Sequence, residues 1–415
     1  MSEHARGVAV PARLGPEPGR ARRPRALFYS HDGYGLGHIR ITLALASASA
    51  TKVPDASLLI LTGSMHAHAY DLPPNIDYVK LPAVAKRLLY RDLPVPAQRG
   101  ALTDVWHLRQ SLIHATANAF APDLLVVDHA PAGLNGELLH TLASLRGAEP
   151  AVALVLCLRD ITYGAELTRR SWAKHGVLDL LDRTYDRILV YGDRGLFDPI
   201  AEYGFSATTA AKTTFCGYIK REDPLLPAAT VREALNATSA PLVVVAPGGG
   251  ADGRCLIETY LAAVRDERLA DVVSFVVTGP LLDATDRADL EAIAAGLPRV
   301  TMVPFTPDLV SYLNAADAVV TMGGYNAVAE VVSLGKRAVV VPRAEGSDEQ
   351  TIRAERFARR GLVNLLDPDV LTAHTLADAV SAALAASAPA AHQLDFTGVP
   401  RISELLAQLL RQHAR

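Results

Sequence analysis

The chain has 415 residues, 50% of them apolar and 20% charged, which is enough apolar material for two hydrophobic cores. A net charge of −3 gives no electrostatic reason to expect nucleic acid or an anionic membrane as a partner. Cys157, Cys216 and Cys255 stand far apart with no CxxC or Cys/His cluster, so a disulfide framework or zinc site is disfavoured and a reducing cytoplasm fits.

Residues 1–24 are rich in Arg, Pro and Gly and lack an apolar h-region. They read as a disordered tail rather than a secretory signal, with a basic tail touching a membrane as the alternative. No apolar run reaches transmembrane length.

From residue 26 short β-rich runs alternate with helical stretches. Strands are expected at 26–30, 57–63, 124–128, 151–160 and 187–193, with a long helix over 101–119. The runs are almost continuously apolar, the pattern of parallel strands covered on both faces. A second series has strands at 242–247, 274–279, 300–305, 318–321 and 337–342. Two βα series predict two doubly wound, Rossmann-like domains, 25–220 and 221–398, with a Pro-containing linker around 218–240. A last helix near 402–412, within 400–415, is expected to return to the first domain.

Each half opens with a strand, a glycine-rich loop and a helix: "SHDGYGLGH" at Ser30–His38 and "PGGGADG" at Pro247–Gly253. Glycines let a ligand approach the backbone, and a helix start offers unpaired N–H groups and partial positive charge. Gly248, Gly250 and Gly253 formally fit GxGxxG. A dinucleotide site also needs an acid at the end of the next strand, and "VVTGP" has none; nor does "ILTGSM" after the first loop. No GxxxxGK[ST] is present, which disfavours a P-loop.

"AVVTMGGYNAVAEVVSLG" reads as strand, Gly-Gly turn and helix. Gly323 and Gly324 free the first-turn N–H groups, enough to hold a diphosphate. Glu330, two turns on, is suited to ribose hydroxyls. Asp348, Glu349 and Gln350 follow the next strand at a helix start, where acids serve either as dipole partners or as contacts to a hydroxyl-rich ligand.

These features resemble GT-B-fold glycosyltransferases of the family 28 type, which includes the lipid II-forming N-acetylglucosaminyltransferase. More narrowly, "GYGLGHIRI" and "LRDITYGAELTRRSWAKHGVLDLLDRTYDRILVYGDRGLFDPIAEYG" (158–204) are similar to a group of bacterial predicted glycosyltransferases. The likeness covers about residues 26–365. It implies a nucleoside-diphosphate-sugar donor on the second domain. There Gly248, Gly249, Gly250, Met322, Gly323, Gly324, Tyr325 and Asn326 would surround the diphosphate. Glu330 would take the ribose, Phe305 would lie near the base, and Glu349 and Gln350 near the donor sugar. The first domain would hold a hydroxyl-bearing acceptor, with Gly35, Gly37 and His38 approaching the diphosphate. No metal or cofactor is implied, and no DxD motif is placed to hold one. The opening loop departs from the GGTGGH type in carrying Tyr34 and Leu36, and Leu36 stands where plant-like family 1 enzymes have their base.

Transfer needs a base for the acceptor hydroxyl. His38 is the first candidate, followed by His31 and Asp32. Asp128–His129 face the same edge and are candidates to orient or replace the base; Arg159–Asp160 end another strand there. His66, His68, His107 and His114 read as surface or packing residues. Competing readings are a UDP-N-acetylglucosamine 2-epimerase-like enzyme and a non-catalytic sugar-nucleotide-binding subunit; a dinucleotide oxidoreductase ranks last.

Overall fold

A strand whose side chains are apolar on both faces must be covered twice, and that requirement builds both halves of the molecule. The structure, a computed structural model, describes residues 22–30, 37–84, 105–222, 224–344, 348–387 and 394–414. The first sheet comprises β1 Arg25–Tyr29, β2 Ser57–Thr62, β3 Ile76–Lys80, β4 Leu124–Asp128, β5 Ala153–Arg159, β6 Arg187–Tyr191 and β7 Thr213–Phe215. Its order is β3-β2-β1-β4-β5-β6-β7, and every pairing is parallel. The second comprises β8 Leu242–Val245, β9 Val273–Val277, β10 Val300–Val303, β11 Ala318–Thr321, β12 Arg337–Val340 and β13 Asn364–Leu365. Its order is β10-β9-β8-β11-β12-β13, again all parallel.

The pleat of β1 sends Ala26 and Phe28 into one core and Leu27 and Tyr29 into another. Likewise β8 sends Leu242 and Val244 one way and Val243 and Val245 the other. One of these cores contains residues of both sheets, from Phe28 and Ile39 to Val244 and Val340. Both sheets reverse their strand order beside their first strand, between β1 and β4 and between β8 and β11. Open α/β sheets bind ligands at such switch points, outside the carboxyl ends of the strands.

Three strands go beyond the sequence expectation, and all lie at sheet edges: β3, β7 and β13. Their sequences, IDYVK, TTF and NL, lack the continuous apolar run because only part of each is covered. The stretch 218–240 is more than a linker. Ala228–Ala234 is helical with Val231 buried, and Arg232 donates to the Ala315 carbonyl and pairs with Asp317.

The final helix, Gly398–His413, lies along the helix Gly37–Lys52 of the first domain. It buries Val399, Ile402, Leu406 and Leu410, with Lys52 and Glu404 paired at 2.9 Å. Of the expected tail, residues 1–21 lie outside the described residues; Arg22 pairs with Asp123 at 3.0 Å. Among the described residues no helix is long and apolar enough to cross a membrane.

Candidate active site

The helix Gly37–Lys52 starts at the carboxyl edge of the first sheet, so His38 in its first turn faces the ends of the neighbouring strands. Asp128 is the last residue of β4, and its carboxylate lies 2.6 Å from His38 Nδ1. The other carboxylate oxygen accepts from the Tyr191 hydroxyl, at the end of β6, at 2.7 Å. Burial first, and then the Asp128 charge, push the Tyr191 phenol well above its ordinary value, so it stays a donor. The backbone turns sharply after β4: His129 has φ 61°, and its ring centroid is 5.3 Å from that of His38.

The short carboxylate contact sets the imidazole tautomer. Nδ1 carries the hydrogen and donates to Asp128, which makes Nε2 the basic nitrogen. A guanidinium nitrogen of Arg159 lies 3.4 Å from the same Nδ1, and one nitrogen cannot both donate to Asp128 and accept from Arg159. The 2.6 Å contact prevails, and Arg159 acts on the ring through its charge. Burial first, then Arg159, push the imidazole well below its ordinary 6.5, with Glu349 opposing. His38 is therefore neutral at neutral pH.

Against His38 opens a cleft of about 300 Å³ between the two sheets. Gly248, Gly249 and Gly250 form part of its floor. Gly250 has φ 95°, and a Cβ there would collide with the Thr278 carbonyl, so the loop is built for glycine. Met322 and Gly324 line the cleft after β11, and Gly324 caps the helix Tyr325–Ser333 with no side-chain cap. A Cβ on Gly324 would meet nothing within 4 Å. The first-turn N–H groups of this helix thus adjoin open space, the usual setting for an anion. Asn326 reaches back across the cleft and donates to the Gly37 carbonyl at 3.2 Å, so two helix starts face each other. Glu330 is a buried part of the wall, and Phe305 stands at the rim, 43% exposed.

Glu349 and Gln350 also border the cleft, but both are engaged with protein. Glu349 pairs with the fully buried Arg353 at 2.8 Å. Burial opposes its ionisation, yet Arg353 and Arg159 outweigh burial and hold the carboxyl below its ordinary value. Gln350 accepts the Arg343 backbone N–H at 3.1 Å. Among the described residues no group of three or more His, Cys, Asp or Glu could hold a metal ion.

Comparison with known proteins matches residues 242–404 to the Glycosyltransferase family 28 C-terminal domain. The UDP-N-acetylglucosamine–N-acetylmuramyl-(pentapeptide) pyrophosphoryl-undecaprenol N-acetylglucosamine transferase of Rubrobacter xylanophilus is 29% identical over 150 residues. That match takes in 36% of this chain and 42% of the relative, so the chain spans less than half the length of that protein. Two solved structures superpose along nearly the whole chain. Acinetobacter baumannii MurG has a TM-score of 0.56 at 15% identity, covering 94% of this chain and all (100%) of that one. A putative UDP-N-acetylglucosamine 2-epimerase of Listeria monocytogenes has a TM-score of 0.61 at 15% identity, covering 94% and 97%.

The chain has the GT-B fold, and its residues 242–404 match the family 28 C-terminal domain.

On this GT-B frame most of the residues singled out from sequence converge. His38, Gly37, Gly324, Asn326, Glu330 and Phe305 all border one cleft, as do the three glycines after β8. Asp128 stands behind His38, bonded to it. Gly323 does not line the cleft: its φ is 84°, and its carbonyl accepts from Arg353 at 3.2 Å. Tyr325 borders the cleft with its ring, but its hydroxyl accepts the Ile219 N–H at 3.0 Å and donates to the Tyr191 carbonyl at 3.1 Å. Asp348 is taken by the Gly164 N–H at 2.9 Å, so this acid ties the domains together. His31, Asp32 and Gly35 lie outside the described residues. Sequence reasoning passed over Arg40, Arg343 and Tyr163, which also line the cleft, and did not count Arg159 among the site residues. An arginine at a strand end or in a loop looks the same in sequence whether it faces solvent or a ligand.

Proposed function

We propose that the protein is a glycosyltransferase that moves a sugar from a nucleoside diphosphate to an acceptor hydroxyl without a metal ion. The observation that carries this reading is the His38–Asp128 pair, 2.6 Å apart, in a cleft walled by glycine turns and helix starts. His38 Nε2 takes the acceptor proton while the acceptor oxygen bonds the anomeric carbon. The bond from that carbon to the diphosphate oxygen breaks, and the nucleoside diphosphate leaves with the electron pair. Asp128 orients the ring and stabilises the imidazolium, and Tyr191 in turn fixes Asp128.

The leaving charge meets the first-turn N–H groups after Gly324 and the turn Gly248–Gly250. Phe305 offers a face for the base and Glu330 a carboxylate for ribose hydroxyls; Glu349 and Gln350 border the donor sugar. The acceptor, a small natural product or a lipid-linked glycan, approaches from the first domain. The relative's name makes UDP-N-acetylglucosamine the first donor to try. A nucleotide-sugar donor fits a cytoplasmic setting.

The test is incubation of the protein with UDP-sugars, with and without a panel of hydroxyl acceptors, in EDTA. A transferase hydrolyses the donor slowly and glycosylates an acceptor, and EDTA leaves this intact. Conversion of the sugar with no acceptor present would support an epimerase instead. Binding with no turnover would support a binding subunit.

A further inference from the structure

Among the described residues Arg159 is the most buried of the three cleft arginines, and no carboxylate lies at hydrogen-bond distance from it. It ends β5 of the first domain, borders the cleft, and is 9% exposed. Its closest ion-pair contact, to Glu349, is 4.0 Å. Glu349 is closer to Arg353, at 2.8 Å, so its charge is largely spent there. Asp128 is bonded to His38 and Tyr191. Arg159 Nε has no hydrogen-bond partner among the described residues. Its other neighbours include the Tyr325 ring, 5.5 Å from the guanidinium carbon, His38 Nδ1, 3.4 Å from a guanidinium nitrogen, and Gly37.

Burial opposes the charge of this guanidinium, but Tyr191, Glu349 and Asp128 outweigh it; what an entering anion adds is the hydrogen-bond partner that Nε lacks. The other two cleft arginines are partly exposed, so water reaches their guanidinium groups. Arg343 pairs with Asp252 at 3.3 Å, and Arg40 lies 3.4 Å from the Tyr70 hydroxyl. Arg159 also stands where the helix starts at Gly37 and Tyr325 meet, with the Asn326–Gly37 hydrogen bond beside it. Planar fork donors match phosphate oxygens in pairs, which an ammonium does not.

We infer that Arg159 binds the terminal phosphate of the donor's diphosphate, reaching from the first domain to a ligand held on the second. This deepens the proposed function and rests on it. The first domain then recognises the leaving group as well as the acceptor. A nucleoside diphosphate is distinguished from a monophosphate by a residue outside the family 28 domain. The same guanidinium lies against His38, so leaving group and base share one cation.

The experiment is calorimetric titration of UDP, dTDP, GDP and ADP, then of the monophosphate of whichever binds best, into wild type, Arg159→Lys and Arg159→Met. Wild type should prefer the diphosphate. Arg159→Met should lose on the order of tenfold or more in diphosphate affinity and change monophosphate affinity by about twofold at most. Arg159→Lys should fall between, and it decides the matter if the Met variant does not fold. Equal losses for both nucleotides, or an unchanged diphosphate preference in the variants, would overturn the assignment. If wild type binds no nucleoside diphosphate, the donor reading itself fails, and this inference with it.

Discussion

In the proposed transfer the two ring nitrogens of His38 have separate duties: Nδ1 is spent on Asp128, and Nε2 takes the acceptor proton. His38→Ala should lower turnover by on the order of a hundredfold or more while donor affinity changes far less. Asp128→Asn should keep the fold and lose turnover too, because an amide does not balance the imidazolium. The pH profile follows from the lowered imidazole value. The base is active when neutral, so the rate falls as pH drops through its value, and the acid limb of kcat/KM should lie below 6.5. An acid limb above 6.5 that survives His38→Ala would assign the base elsewhere. Glu330→Ala should weaken a bound ribonucleotide by roughly 1–3 kcal/mol, and a 2′-deoxy analogue by less if the 2′-OH is the partner. Calorimetry with both nucleotides checks this, and equal losses remove the 2′-OH. At this scale the sequence was partly legible. His38 and Asp128 were each visible as polar residues at strand or helix ends. Their 2.6 Å contact joins positions 90 residues apart, and only the adjacency of β1 and β4 creates it. Tyr191 read as an ordinary strand residue, and Arg159 as a polar strand end.

The glycine turns are the elements that make the cleft, and they differ in what they tolerate. Gly250 combines φ 95° with a backbone carbonyl where a Cβ would stand. Gly250→Ala should therefore destabilise the second domain by about 1–3 kcal/mol, measured by urea unfolding, whatever its effect on binding. A stability within experimental error of wild type would mean that the loop is not constrained as described. Turns of this kind are readable in advance, since several glycines between an apolar strand and a helix serve few purposes other than close backbone approach. The central strands were readable for a similar reason: burial on both faces leaves an unbroken apolar run. The edges β3, β7 and β13 were not, because a half-covered strand carries polar residues that look like loop. The roles of Gly323 and Asp348 also escaped, since each is taken by a protein partner from another element.

Across the whole molecule the two domains are joined by buried polar bridges as well as by an apolar core. The Tyr325 hydroxyl accepts from the Ile219 N–H and donates to the Tyr191 carbonyl, so it holds the second domain's helix start to the end of β6. Tyr325→Phe leaves a buried N–H and a buried carbonyl without that partner and should cost about 1–3 kcal/mol in unfolding free energy. An unchanged midpoint in denaturant would show that the bridge contributes nothing to stability. The architecture was legible from the repeated strand–loop–helix openings, but the bridges were not, because they depend on how the domains face each other. On the proposed function, the cleft between the domains holds a nucleoside diphosphate at the turn after β11. Calorimetric titration of nucleoside diphosphates into wild type and Gly324→Val tests it most directly. The new side chain would enter open space and meet no protein atom at its Cβ, so the fold should be kept. Wild type should bind at least one nucleoside diphosphate, and Gly324→Val, with an unchanged thermal midpoint in the absence of ligand, should not. No binding by wild type, or equal affinity in the variant, would contradict the account.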